Sequence, residues 1–183
     1  MDTPYVFEQT VVGGAVPKNF FPAVEKGIAE SVKKGPLAAY PVTGIKAVLY
    51  DGSYHPVDSS EMAFKVATQQ AFKKGIMEAK PVLLEPIATL KVVVPEGYTG
   101  DVIGELNKRR ARVMGMNPTD NGYQEIVADI PYLELYGYNA TLRSMTSGSG
   151  TFSYEFARYE QAPDDVAAKQ IEERASKLVE VEE

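Results

Sequence analysis

A strand and a helix that follow each other at residues 90–106, LKVVVPEGYTGDVIGEL, decide the fold of the second half of the chain. Alternate positions within residues 90–94 are apolar, which is the period of a β-strand with one buried face. Pro95 ends this strand because proline has no amide hydrogen to donate to a sheet. Apolar residues then recur at helical spacing, and we expect a helix over about residues 99–112.

The pattern continues with two strands, a helix and a final strand. We expect strands at residues 113–116 and 123–130, a helix over residues 131–146 and a closing strand near residues 152–156. The resulting order, βαββαβ, is that of a ferredoxin-like domain. We assign this domain to residues 85–160.

The first half of the chain also alternates between strand and helix. Strands are predicted at residues 5–12 and 45–50, and a first helix is predicted over residues 22–35. Asp58, three residues before a glutamate, has the spacing of an N-cap for a second helix that ends near Ala79. The sequence therefore predicts an α+β protein with a first domain over residues 1–84.

Composition excludes several classes of function. The 183 residues include no cysteine and a single histidine, so disulfides, thiolate catalysis and a zinc site built on several His or Cys ligands are ruled out. No G-x-x-x-x-G-K-[ST] motif occurs, and therefore no P-loop cofactor site is expected within these residues. No apolar run is long enough to span a membrane, so we expect a cytoplasmic chain without a membrane partner.

The net charge of −6 is concentrated at the C-terminus. Residues 160–183 contain eight acids and three bases, whereas residues 1–159 contain 17 acids and 16 bases. We expect residues 161–183 to form an acidic, solvated helical tail. The rest of the chain is close to neutral, so local basic clusters decide whether it can bind nucleic acid.

A polar loop with aromatic residues connects the strand at 45–50 to the second helix, and it holds the lone histidine. We call this loop, residues 51–57, the tip loop; its members are Asp51, Gly52, Ser53, Tyr54, His55, Pro56 and Val57. Ser53, His55 and Asp58 are the residue types of a catalytic triad, but triads are normally assembled from separate elements. We expect a contact surface; an enzyme using His55, which would need a concave pocket, is a remote alternative.

Four bases crowd the predicted end of the helix at residues 99–112. This basic cluster consists of Lys108, Arg109, Arg110 and Arg112. Cations stabilise the negative end of a helix, which is one explanation for them. Contact with RNA or phosphate is the other, and composition does not decide between the two.

Seven blocks of sequence resemble the C-terminal part of bacterial translation elongation factor G. They are VGGAVP (12–17), PAVEKGI (22–28), GPLAAYPV (35–42), LYDGSYHPVDSSEMAFK (49–65), PVLLEPI (81–87), GDVIGELN (100–107) and LRS (142–144). The resemblance implies that residues 1–84 are similar to the family's domain IV, with a ribosomal-protein-like αβ fold that is incomplete at its N-terminus. It further implies that residues 85–160 are similar to the ferredoxin-like domain V.

The resemblance also implies a function in protein biosynthesis. Domain IV of the family enters the decoding centre of the small ribosomal subunit during translocation of the tRNA–mRNA pair, and His55 matches the histidine at its tip. Domain V lies near large-subunit RNA, so RNA contacts are expected at both the tip loop and the basic cluster, with no DNA partner. The family's GTPase domain, with its GTP and magnesium, has no counterpart in these residues, and no catalytic residue, cofactor or metal ligand is expected here.

Three departures from the family pattern leave a paralogue open. The chain has Ser149 where the family usually has arginine, an asparagine at position 139 in an altered Phe-Gly-Tyr-Ala-Thr motif, and Pro56 where an acid is common. The alternative to a translocase is therefore an elongation-factor-G-like paralogue that acts in ribosome recycling or ribosomal protection.

Overall fold

The chain forms two compact units in the computed structural model, which describes residues 4–179. The first contains residues 4–82 and 163–179, and the second contains residues 83–162. We expected the boundaries between domains to follow residues 84 and 160. The boundaries between the two units follow residues 82 and 162. Among the described residues, no helix combines the length and the apolar character needed to cross a membrane.

The first unit combines a small sheet with two packed helices. Its elements are β1 (Tyr5–Gln9), α1 (Phe21–Ser31), β2 (Ile45–Leu49) and α2 (Glu61–Glu78). β1 and β2 run parallel, with Tyr5 opposite Ile45. α1 lies close against α2 at Gly27, where a Cβ atom would come within 2.8 Å of the Thr68 Cβ. This close approach explains the glycine inside α1, because any larger residue would force the two helices apart.

α2 begins two residues later than the predicted cap would place it. Ser60 is the N-cap, because its backbone is extended and its Oγ accepts a 3.0 Å hydrogen bond from the Ala63 amide. Asp58 lies in the turn before it. The prediction of an Asp58 cap was therefore wrong, and the reason is that two serines between Asp58 and Glu61 offer an equally suitable side chain.

The second unit is a four-stranded antiparallel sheet with helices on one face. Its elements are β3 (Leu84–Pro95), α3 (Thr99–Lys108), β4 (Arg112–Pro118), β5 (Tyr123–Pro131), α4 (Tyr138–Met145) and β6 (Thr151–Gln161). The strand order is β4-β5-β3-β6, which is the ferredoxin-like order. The core lies between the sheet and the helices and includes Leu90, Leu106, Ile126 and Leu142. The predicted α+β class is confirmed.

The helix predicted over residues 131–146 is shorter than expected. Residues Tyr132–Leu135 form a 3₁₀ turn, and α4 starts only after Gly137, whose φ of +71° is left-handed. A left-handed residue interrupts a right-handed helix, and glycine adopts that conformation without strain.

The C-terminal tail is helical, and part of it is held by the first unit. It contains α5 (Asp164–Glu173) and α6 (Ser176–Val179). Arg174 donates a 2.7 Å hydrogen bond to the Ala38 carbonyl, and its guanidinium lies 3.8 Å from the centre of the Tyr40 ring. The tail is helical as expected, but the expectation that it is solvated was wrong at Arg174; residues 180–183 lie outside the described part.

Candidate nucleic-acid interface

The tip loop lies at the surface of the first unit, between β2 and α2. Every residue from position 51 to position 58 is exposed, and Val57 is 92% exposed. The end of the loop is closed by two hydrogen bonds of 2.9 Å: the His55 amide donates to the Ser59 Oγ, and the Ser59 amide donates to the His55 carbonyl. The backbone at His55 is thus fixed at the start of α2.

An aromatic stack supports the middle of the loop. The Tyr54 ring lies 5.7 Å from the Phe20 ring, and the Phe20 ring stacks on Phe64 of α2 at 4.6 Å. Aromatic pairs at these distances contribute about 0.5–1.5 kcal/mol beyond the area that they bury. Tyr54 is therefore held against the body of the unit while part of its ring stays exposed.

The loop does not have the geometry of a catalytic centre. In the described part of the chain, no hydrogen bond links His55 to Ser53 or to Asp58, and all three residues are exposed. Nor does any group of three or more His, Asp or Glu residues there have the arrangement of a metal site. The geometry gives no support to the enzyme alternative, and it suits a surface that touches a partner.

Arg109 of the basic cluster is occupied by internal contacts. Its side chain is largely buried and lies over the Tyr138 ring, 5.4 Å from the ring centre. Its donors bond the Glu105 carboxylate (2.7 Å), the Glu134 carbonyl (2.7 Å), the Tyr136 carbonyl (3.1 Å) and the Thr141 Oγ1 (3.0 Å). These bonds tie α3 to the 3₁₀ turn and to α4, so Arg109 has a structural role in the second unit.

Arg110 is held by two carboxylates. Its guanidinium makes a bidentate pair with Glu85, at 2.8 and 2.9 Å, and its Nε donates to the Glu134 Oε1 at 3.0 Å. Its backbone is left-handed, with a φ of +56°. The hydrogen bonds to Glu85 raise the pKa of Arg110, with Glu134 adding to the effect against the opposing influence of burial. This side chain joins the first strand of the unit to the turn after β5.

Lys108 and Arg112 remain at the surface. Lys108 is exposed at the end of α3, and the exposed Arg112 donates a 3.2 Å bond to Asp129. Arg158 donates to the same Asp129 oxygen at 2.7 Å. Burial alone would raise the pKa of Asp129, but the bonds from Arg158 and Arg112 outweigh it and hold this pKa below its ordinary value. Of the four bases, Lys108 is thus the best placed to meet phosphate.

Two further groups at these surfaces were not predicted from the sequence. Val16 and Phe20 lie beneath the tip loop, although more than 30 residues separate them from it in the chain. Tyr136 is 91% exposed while its carbonyl is held by Arg109. No local pattern identifies such residues, because the contacts that define them are formed only when distant segments come together.

Known proteins provide an independent comparison. A family model described as elongation factor G, domain IV, matches residues 1–80, and one described as elongation factor G C-terminus matches residues 82–170. A protein of Thermotoga maritima called "Elongation factor G-like protein" is 49% identical over 178 residues, which cover 97% of this chain and 26% of that protein.

A solved structure agrees with this result. A crystal structure of a protein from Thermus thermophilus superposes with a TM-score of 0.83 at 43% identity, covering 95% of this chain and 26% of that one. The chain therefore spans about a quarter of the length of both relatives.

Proposed function

Because this chain belongs to the elongation factor G family, matching its domain IV and its C-terminal region, we propose that it is the part of a ribosomal translocase that reaches the decoding site. The observation that carries this proposal is the tip loop, whose exposed residues include a histidine and a tyrosine on a backbone held by hydrogen bonds and ring packing. No GTPase domain lies in these 183 residues, so the chain is not itself a GTPase. The GTP and magnesium of a full-length factor would bind in another domain.

The tip loop is suited to contact splayed or single-stranded RNA. Such RNA is bound through stacking of bases on aromatic side chains and through hydrogen bonds to their edges. Tyr54 offers a partly exposed ring, and His55 offers a ring that can both stack and hydrogen-bond. The loop would occupy the space that the tRNA–mRNA pair leaves and thereby oppose its return, while the GTP cycle elsewhere in the factor gates the movement.

The second unit would contact large-subunit RNA of the same ribosome. Lys108 and Arg112 are exposed and can approach phosphate, whereas Arg109 and Arg110 stabilise the unit from within. Binding of this kind depends on charge and therefore weakens as salt rises. Such a factor would act in the cytoplasm, without a membrane or DNA partner.

Replacement of His55 by alanine in a full-length factor tests the proposal. Translocation should slow by about fivefold or more, because a base contact is worth about 1–3 kcal/mol and each 1.4 kcal/mol is a factor of ten. Ribosome-stimulated GTP hydrolysis should stay near the wild-type rate, because the substitution is outside the GTPase. Both rates are measured by rapid mixing.

The matched control is Gln70→Ala, a truncation of similar size at an exposed position of α2. It should leave both rates unchanged. An equal loss of translocation and GTP hydrolysis in His55→Ala, or no loss of either, would contradict the proposed role of the tip loop.

A second candidate function is that of a paralogue in ribosome recycling or protection. The name of the Thermotoga maritima relative, "Elongation factor G-like protein", and the presence of Ser149 and Pro56 favour it. Depletion of the main elongation factor in a cell separates the two candidates: a full-length translocase rescues growth, and a recycling or protection factor does not.

A further inference from the structure

The second residue of the tip loop lies directly on a buried side chain. A Cβ atom at Gly52 would be 2.5 Å from the Cγ2 of Val16. Two non-bonded carbons do not approach so closely, so one of the two groups would have to move. The backbone of Gly52 is not in the left-handed region, so its conformation alone does not require glycine. What requires glycine is the contact with Val16, which sets how closely the loop can approach the body of the unit.

Val16 cannot easily move away from the loop. It is only 2% exposed, and valine is branched at Cβ, which leaves few rotamers in a packed site. It lies between the turn at Gly13 and Gly14, with φ of +69° and +73°, and the 3₁₀ turn Lys18–Phe20. A collision at this point would therefore displace the loop and not Val16.

The same segment supports the loop a second time. Tyr54, two residues after Gly52, packs against Phe20, which is four residues after Val16 and stacks in turn on α2. The hydrogen bonds between His55 and Ser59 fix the other side of the loop. Gly52 and Tyr54, which precede His55, therefore contact the body of the unit. The turn after His55 is closed by its hydrogen bonds to Ser59, although all of the loop is exposed.

From this geometry we infer that Val16, together with Phe20, is a positioning residue of the tip loop. Its contact with Gly52 sets the distance between the loop and the body of the unit, and this distance determines where His55 meets RNA. The inference rests on the proposed function and extends it to a segment, residues 12–20, that lies outside the tip loop. Val16 itself does not touch RNA, since it is buried.

The test is a pair of substitutions in a full-length factor. Gly52→Ala alone should slow translocation by about tenfold to a hundredfold, because a displaced loop would cost His55 its contact with an RNA base, the same contact that His55→Ala removes. Ribosome-stimulated GTP hydrolysis should be unchanged. Adding Val16→Ala removes the Cγ2 atom in the way, and the double variant should return to within about threefold of the Val16→Ala rate.

The control is Gly75→Ala, the same substitution in α2 at a position where the added carbon would meet no atom within 4 Å apart from the neighbouring backbone of its own helix. It should have no effect on translocation. A purely structural role for Gly52 would lower both rates together through loss of folded protein, and the second substitution would add to the damage. That result, or a normal rate in Gly52→Ala, would overturn the inference.

Amide hydrogen exchange keeps the inference testable if the double variant does not fold. In the 183-residue chain, Gly52→Ala should raise exchange at the His55 amide by about tenfold, because displacing the loop breaks its bond to Ser59; unchanged exchange would overturn the inference. The two hypotheses fail separately: normal translocation in His55→Ala removes the proposed function, whereas a slow His55→Ala with a normal Gly52→Ala removes only the positioning role.

Discussion

Truncation of Leu90 to alanine is expected to lower the free energy of unfolding by about 2–5 kcal/mol. Leu90 is fully buried in β3, a central strand that pairs with β5 at Ala128 and with β6 at Tyr154. Strands hydrogen-bonded on both sides cannot collapse into the space that the side chain leaves, so we expect a value in the upper half of this range. Urea unfolding of the 183-residue chain, followed by circular dichroism, measures the change.

The control for this variant is Leu133→Ala, the same change of side chain at a position in the second unit that is 57% exposed. It should cost less than about 0.5 kcal/mol, since no core contact is lost. Amide exchange in residues 83–162 shows whether the destabilisation of Leu90→Ala falls on the second unit. Similar costs for the two leucines would mean that the core is not between the sheet and its helices.

Removal of the Arg110 side chain is expected to destabilise the second unit by about 1–3 kcal/mol. Charge-assisted hydrogen bonds of this kind contribute about 1.5–3 kcal/mol, and partial exposure to solvent reduces the sum. The Glu85 side chain is only 13% exposed, so Arg110→Ala would leave this carboxylate poorly solvated and without its partner. Unfolding of the 183-residue chain in urea measures the loss.

Lys108→Ala, two positions away, should behave in the opposite way. It should leave stability within about 0.5 kcal/mol of wild type, because the side chain is exposed. In a full-length factor it should weaken ribosome binding. It should also reduce the slope of the logarithm of the binding constant against the logarithm of the salt concentration by about one, as expected for the loss of a single phosphate contact. Equal stability losses for the two variants, or ribosome binding that depends on Arg110 alone, would contradict this division of the cluster.

The strand pattern of the second unit is predictable from sequence because the sheet has one buried face. Leu90, Val92 and Val94 are all fully buried, as their alternation requires. The shortened α4 was not predictable from the same pattern, because apolar spacing continues across Gly137, and only its backbone conformation shows the interruption. Ser60 as the cap of α2 was one of several equivalent choices, and the fold selects it.

For the candidate site, too, some features could be predicted from the sequence and others could not. Exposure of His55 could be predicted, because a polar loop between a strand and a helix lies at the surface. The internal role of Arg110 could not, because its partners Glu85 and Glu134 are about 25 residues away in either direction. Val16 and Gly52 are likewise distant in the chain, and no local pattern connects them.

Directed hydroxyl-radical probing from the tip loop tests the central claim most directly. The chain has no cysteine, so Ser53→Cys introduces one attachment point for an iron chelate within this segment, and Thr151→Cys in the second unit provides the control. In a full-length factor without other cysteines, bound to ribosomes, position 53 should cleave RNA of the small-subunit decoding site, and position 151 should not. Cleavage of the same RNA from both positions, or none at the decoding site from position 53, would contradict the account.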